Sequence, residues 1–132
     1  MSIIRLQLPY PPSVNNYWLT SGNRRYISKR GQQFKQEVLA YCLKHKIPKL
    51  GTFDVHVGIL LHPRSKLLMD IDNCAKAVLD SLEGARVFDD DKQVVKLVIM
   101  RGYMKKGGGC TVFVHKRTPS ASLDASLPMV NS

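Results

Sequence analysis

Cysteine is sparse, and its pattern excludes more than its number does. Cys42, Cys74 and Cys110 are odd in count, widely spaced and without a C-x-x-C pair, so neither a disulfide framework nor a zinc knuckle is indicated. All three are expected to be reduced and buried. The four histidines, His45, His56, His62 and His115, also lack the spacing of metal ligands, and His56 and His62 fit a polar strand face or strand end better than a zinc site. Long apolar runs are missing as well. Nothing approaches the ~18–20 residues of a spanning helix, and Met1-Ser2-Ile3-Ile4-Arg5 meets a proline before a signal-peptide core can form. An intracellular chain without a membrane partner is expected.

Acid is scarce through the first half. Up to Lys66 there are eleven basic residues and two acidic ones, and after it nine and eight. The net charge of +10 and pI near 9.8 draw phosphate polymers by Coulomb attraction and counterion release. Nucleic acid is therefore the first partner to test. Seven of the ten acids crowd between Asp70 and Asp91: Asp70, Asp72, Asp80, Glu83, Asp89, Asp90 and Asp91. Such a cluster inside a polycation needs a reason. For Asp80 and Glu83 a solvated helix face suffices.

The 132 residues, 44% of them hydrophobic, suit one packed domain, expected over residues 1–117. The Ser-rich stretch 118–132 reads as a disordered tail. Ile4, Leu6 and Leu8 alternate with polar residues as a first strand, stopped by Pro9 and Pro11-Pro12, and an irregular segment follows. Ser28 caps a helix carrying Phe34, Val38, Tyr41 and Cys42, which Pro48 ends. Residues 53–62 alternate as the clearest strand. A second helix spans about 73–83, with Asp72 as N-cap and Gly84 as its stop. Val94 to Arg101 reads as a strand, Lys105-Lys106-Gly107-Gly108-Gly109 as a turn, and Cys110 to His115 as a last strand, the final two forming a hairpin with a longer loop. The fold class is α+β: strand, helix, strand, helix, strand, strand, with a small mixed sheet and two helices on one face.

Asp70-Ile71-Asp72 is a D-x-D at the mouth of the second helix. Residues i and i+2 of an extended segment point the same way, so both carboxylates can reach one hard cation such as Mg²⁺; equally, Asp72 can be a cap and Asp70 a loop residue. Lys76, one helical turn beyond Asp72, can sit beside a phosphate held there. Three adjacent carboxylates at Asp89-Asp90-Asp91 repel one another unless a cation, basic residues or water relieve them. A shared metal site requires Asp91 or Asp90 to return beside Asp70 and Asp72. Near the other end of the chain, Asn15, Asn16, Tyr17 and Trp18 offer amides and stacking faces close to Arg24, Arg25, Lys29 and Arg30. This is either a DNA-contacting loop or a structural turn with Trp18 in the core.

Taken in order, P-P-S-x-N-N at Pro11–Asn16, D-x-D-N-x-x-K at Asp70–Lys76 and D-D-x-Q-V-V at Asp90–Val95 resemble the RusA family of Holliday-junction resolvases, small DNA endonucleases of phages and prophages. The resemblance runs through most of residues 6 to 115. It implies a homodimer in the cytoplasm of a bacterial host, acting on branched DNA, above all four-way junctions, in recombination and repair. It also implies paired nicking with Mg²⁺, for which Mn²⁺ substitutes, and ligatable 5′-phosphate and 3′-hydroxyl ends. Asp70, Asp72 and Asp91 would be the catalytic metal ligands, with Asp90 as the alternative third, and Lys76 the active-site cation. DNA contacts would fall to Asn15, Asn16, Arg24, Arg25, Lys29, Arg30, Arg64, Lys66 and Lys76. One departure is Leu67-Leu68-Met69, where family members carry arginines. The rival readings are a basic DNA-binding protein without catalysis and a metal-dependent nucleotide phosphohydrolase.

Overall fold

The computed structural model describes residues 3–66 and 70–117; the expected tail and the Leu67-Leu68-Met69 departure lie outside them. The architecture is α+β. In chain order the elements are β1 (Ile4–Leu8), α1 (Val14–Tyr17), β2 (Trp18–Ser21), β3 (Arg24–Ile27), α2 (Lys29–Lys44), β4 (Val55–His62), α3 (Ala75–Gly84), β5 (Val94–Arg101) and β6 (Gly109–Lys116). Single 3₁₀ turns, Asp72–Cys74 and Asp91–Gln93, precede α3 and β5.

The main sheet runs β1-β6-β4-β5, and β2-β3 form a separate ribbon. β6 is antiparallel to both of its neighbours, whereas β5 is parallel to β4. The expected closing hairpin is thus overturned. α3 carries the chain back after β4, and such a crossover delivers the next strand parallel to the first; β5 takes that outer slot, and the chain must pass β4 before β6 can enter beside β1. Ile4, Leu6, Leu8, Val57, Ile59, Val112 and Val114 cover the inner face of the sheet, buried against Phe34 and Val38 of α2 and Ala77, Val78 and Leu82 of α3.

Three helices replace the two expected, because the segment read as irregular holds α1 and the ribbon. Gly22 at φ +62° makes the turn of that ribbon. Ser28 caps α2 as read, accepting from the Gly31 N–H at 3.0 Å. Asp72 does not cap α3: it lies within the 3₁₀ turn, and no side chain caps either segment. Nor does Gly84 supply the reversal after α3. It is the last helical residue, and the left-handed position falls on Arg86, φ +63°. The Lys35 side chain lies over Gly84, its Cε 2.6 Å from where a Cβ would stand, and that flexible chain end can swing aside. The three cysteines are free and buried, as expected.

Candidate active site and nucleic-acid interface

The acidic turn between α3 and β5 is sewn to the loop before β4. Leu50 N–H donates to Val87 O at 2.8 Å and Asp89 N–H to Gly51 O at 3.1 Å. Asp90 opens the turn as a cap: its carboxylate accepts from Lys92 N–H at 2.8 Å, while its own N–H donates to Gln93 Oε1 at 2.7 Å. The Gln93 amide nitrogen then donates to Gly51 O and Phe53 O, both at 2.7 Å. The D-D-x-Q spacing therefore has a physical content. Asp90 and Gln93 are consumed in building the turn, whereas the carboxylate of Asp91 makes none of these turn contacts and meets Lys76 instead.

Two side chains of α3 reach that carboxylate turn. Lys76 Nζ lies 3.3 Å from Asp91 Oδ2, both side chains partly exposed at 41% and 32%. Glu83 Oε1 accepts from Asp91 N–H at 2.8 Å. A half-exposed pair of this kind contributes ~0–1 kcal/mol, so stability does not explain why Lys76 stands there. Glu83 was read as part of a solvated face, and the structure gives it this partner instead. The signal was available in its spacing: Glu83 lies two helical turns after Lys76, on the same side. Asp80 is also engaged, accepting from the buried Tyr17 hydroxyl and pairing with Lys35 at 3.5 Å, which ties α1 to α3 and α2.

Among the described residues, Glu83, Asp90 and Asp91 form the group of three acidic side chains whose ligand oxygens all fall within 4.8 Å. Asp70 and Asp72 are exposed and outside that group. Asp72 connects to it through the helical turn that leads to Lys76. The donors are all hard carboxylate oxygens, the chemistry that suits Mg²⁺ or Mn²⁺, and Lys76 already marks a place for opposite charges to meet.

The basic residues divide by element. Asn15 and Asn16 are exposed on α1, Arg24 and Arg25 on β3, and Lys29 and Arg30 on the first turn of α2. Ser28 ties the group together, donating to Asn16 O from its hydroxyl and to Tyr17 O from its N–H, the latter at 2.9 Å. Arg25 stacks 4.3 Å over the Trp18 ring, and Trp18 is itself edge-on to Tyr17 at 5.2 Å. Trp18 is thus partly packed on the core and partly a platform for arginine. Arg64 and Lys66 are exposed.

Glu83, Asp90 and Asp91 gathered beside Lys76 of α3, in a chain of net charge +10, suit the class of protein that performs phosphoryl chemistry on a polyanion. The family model for endodeoxyribonuclease RusA matches residues 9–115. The crossover junction endodeoxyribonuclease of Enterobacteria phage HK97 is 32% identical over 108 residues, covering 82% of this chain and 90% of the relative. Those of Escherichia coli K12 and Enterobacteria phage 82 are 32% and 33% identical over 109 residues, with the same coverage. The chain belongs to the RusA endodeoxyribonuclease family.

Proposed function

We propose that the chain is a structure-selective endodeoxyribonuclease that cuts Holliday junctions, with Asp70, Asp72 and Asp91 holding Mg²⁺ and Lys76 contacting the scissile phosphate. The observation that carries this reading is the meeting of Lys76 and Asp91 at 3.3 Å in a chain of this family. When bound, the cation supplies a Lewis acid and lowers the pKa of a water for attack on phosphorus. Asp91 presents its carboxylate from a turn locked by Asp90 and Gln93, so little ordering remains to be done on binding. Lys76, released from Asp91 as a phosphate arrives, neutralises charge on the non-bridging oxygens. Glu83 fixes the Asp91 backbone. Asn15, Asn16, Arg24, Arg25, Lys29, Arg30, Arg64 and Lys66 bind the DNA backbone.

Paired cuts call for a homodimer, since a C₂ pair presents equal sites to a nearly two-fold junction. The edge strand β5, with Val95 and Leu97 exposed, offers an apolar surface for a second copy. The protein would work in the cytoplasm of the cell that holds its DNA substrate. Junction cleavage with and without Mg²⁺ tests the reading. Metal-dependent paired nicks support it, metal-indifferent binding without nicks favours a plain DNA-binding protein, and turnover of free nucleotides alone favours a phosphohydrolase. Asp70→Asn and Asp72→Asn should abolish cutting while junction binding in EDTA holds or tightens, because a negative charge facing DNA has been removed.

A further inference from the structure

A cleft of about 250 Å³ is lined by Pro9, Tyr10, Arg30, Arg64, Gly107 and Gly108. Its walls come from four separate parts of the chain, and the contacts that hold them are specific. Tyr10 is fixed from behind: its hydroxyl and the Cys74 thiol are hydrogen-bonded, and burial pushes the phenol up to about 12. Cys74 lies two residues past Asp72, so Tyr10 joins the cleft to the segment that carries the first two aspartates. The glycine turn is fixed too, with Lys105 N–H donating to Pro63 O at 2.9 Å and Gly108 N–H to Lys105 O at 2.8 Å. His62 braces this loop by stacking on Tyr103 at 4.3 Å while its Nε2 meets Thr111 Oγ1 at 2.9 Å.

The glycines keep the cleft open. Gly107 and Gly108 take φ +80° and +74°, and a Cβ at Gly108 would stand 3.3 Å from Tyr10 Cβ and 3.6 Å from Arg64 Cβ, filling the floor. What remains is an aromatic face, two guanidinium groups and bare backbone. Tyrosine faces stack on bases and arginines grip phosphate in a fork. At about 250 Å³ the cleft is smaller than the roughly 300–1,000 Å³ of pockets that enclose drug-sized molecules, and a nucleotide is itself drug-sized, so the cleft takes the base while sugar and phosphate stay at its rim.

We propose that this cleft receives one unstacked nucleotide of the bound DNA, its base against Tyr10 and its phosphate between Arg30 and Arg64. The inference rests on the endonuclease reading above and deepens it: the nucleotide belongs to the strand that passes the aspartates. Unstacking costs least where the regular duplex is already interrupted, and the crossover of a junction, where strands pass between helices and stacking is broken on one side, is such a place. The cleft thereby favours branched DNA over linear duplex.

The test uses the full chain and four-way junctions carrying 2-aminopurine singly at positions around the crossover, in EDTA. Wild type should brighten one position several-fold. Arg30→Gln and Arg64→Gln, both surface changes, should cut that rise at least by half, and Tyr10→Ala should abolish it and weaken junction binding about tenfold. Tyr10→Phe, which keeps the ring, should restore the rise. Melting curves identify any variant that fails to fold, and the two arginine variants keep the test sharp if Tyr10→Ala does. The proposal is overturned if no position brightens for a protein that cuts junctions in Mg²⁺, or if the arginine variants brighten like wild type. A protein that binds junctions, brightens none and never cuts overturns both the cleft and the endonuclease reading.

Discussion

At the scale of single residues, the turn at 90–93 separates two carboxylates that sequence leaves as competitors. Asp90 is occupied in capping, whereas the Asp91 carboxylate pairs with Lys76, so Asp91→Asn should slow cutting by about 10²–10³, the scale for losing one preorganised charged group. Asp90→Asn, which can still accept from Lys92, should cost far less. Single-turnover rates on a junction, with binding in EDTA held constant, check both. Glu83 acts on the turn through Asp91 N–H, so Glu83→Ala should cost about tenfold and raise the Mg²⁺ concentration needed for half-maximal rate. Glu83→Gln, retaining the acceptor, should recover most of it.

His56 makes a residue-scale prediction about acid. Burial, then His115, Lys96 and Arg117, holds its imidazole below the ordinary 6.5. The unfolded chain therefore binds the proton first as pH falls, and its proton uptake exceeds that of the folded chain between 6.5 and the lower folded value. Stability should drop through that window and level off beneath it. His56→Gln should flatten the loss, measured as the urea midpoint at pH 7 and pH 5.

At the scale of elements, α2 must press closely on the N-terminal segment. A Cβ at Gly31 would meet Ile27 Cγ2 at 2.7 Å, Tyr17 Cδ1 at 2.8 Å and Tyr17 O at 2.9 Å. Alanine gains about 1 kcal/mol of helix propensity, yet overpacking costs ~1–3 kcal/mol, and a backbone oxygen cannot swing aside. Gly31→Ala should lower the melting temperature and loosen α1 and the ribbon, read out as faster amide exchange at Asn16 and Tyr17. Elements whose signal is local were legible in sequence: β1 and β4 by alternation, α2 by Ser28 and its apolar stripe. The ribbon was not, because Trp18–Ile27 carries little apolar alternation and its turn signal, Ser21-Gly22-Asn23, sits among arginines. The partnering of β5 was not legible either, since strand pairing is settled by crossover geometry rather than by the strand's own residues. In the candidate site the D-D-x-Q motif was visible, and the spacing of Glu83 from Lys76 put both on one side of α3, but its partner, the Asp91 N–H, is set by the fold of the turn against the helix.

At the scale of the molecule, the charge of +10 makes DNA affinity a function of salt. Log K should fall linearly with log salt at roughly −0.9 per phosphate contact. Arg25→Ala should reduce the slope by about one contact and free the Trp18 face from its cover, whereas Gln33→Ala, which removes no charge, should leave the slope alone. Fluorescence anisotropy over a salt series measures both.

The place of β6 reaches beyond the finished protein. Residues 109–116 sit in the middle of the sheet, between β1 and β4, so the first strand to leave the ribosome has no partner until one of the last arrives. Pairings this distant in sequence form slowly. A nascent chain that already carries every aspartate of the site still lacks the strand that joins β1 to the rest of the sheet. A chain truncated before residue 109 should therefore leave β1 unpaired, and such a chain should show neither cooperative unfolding nor junction cutting.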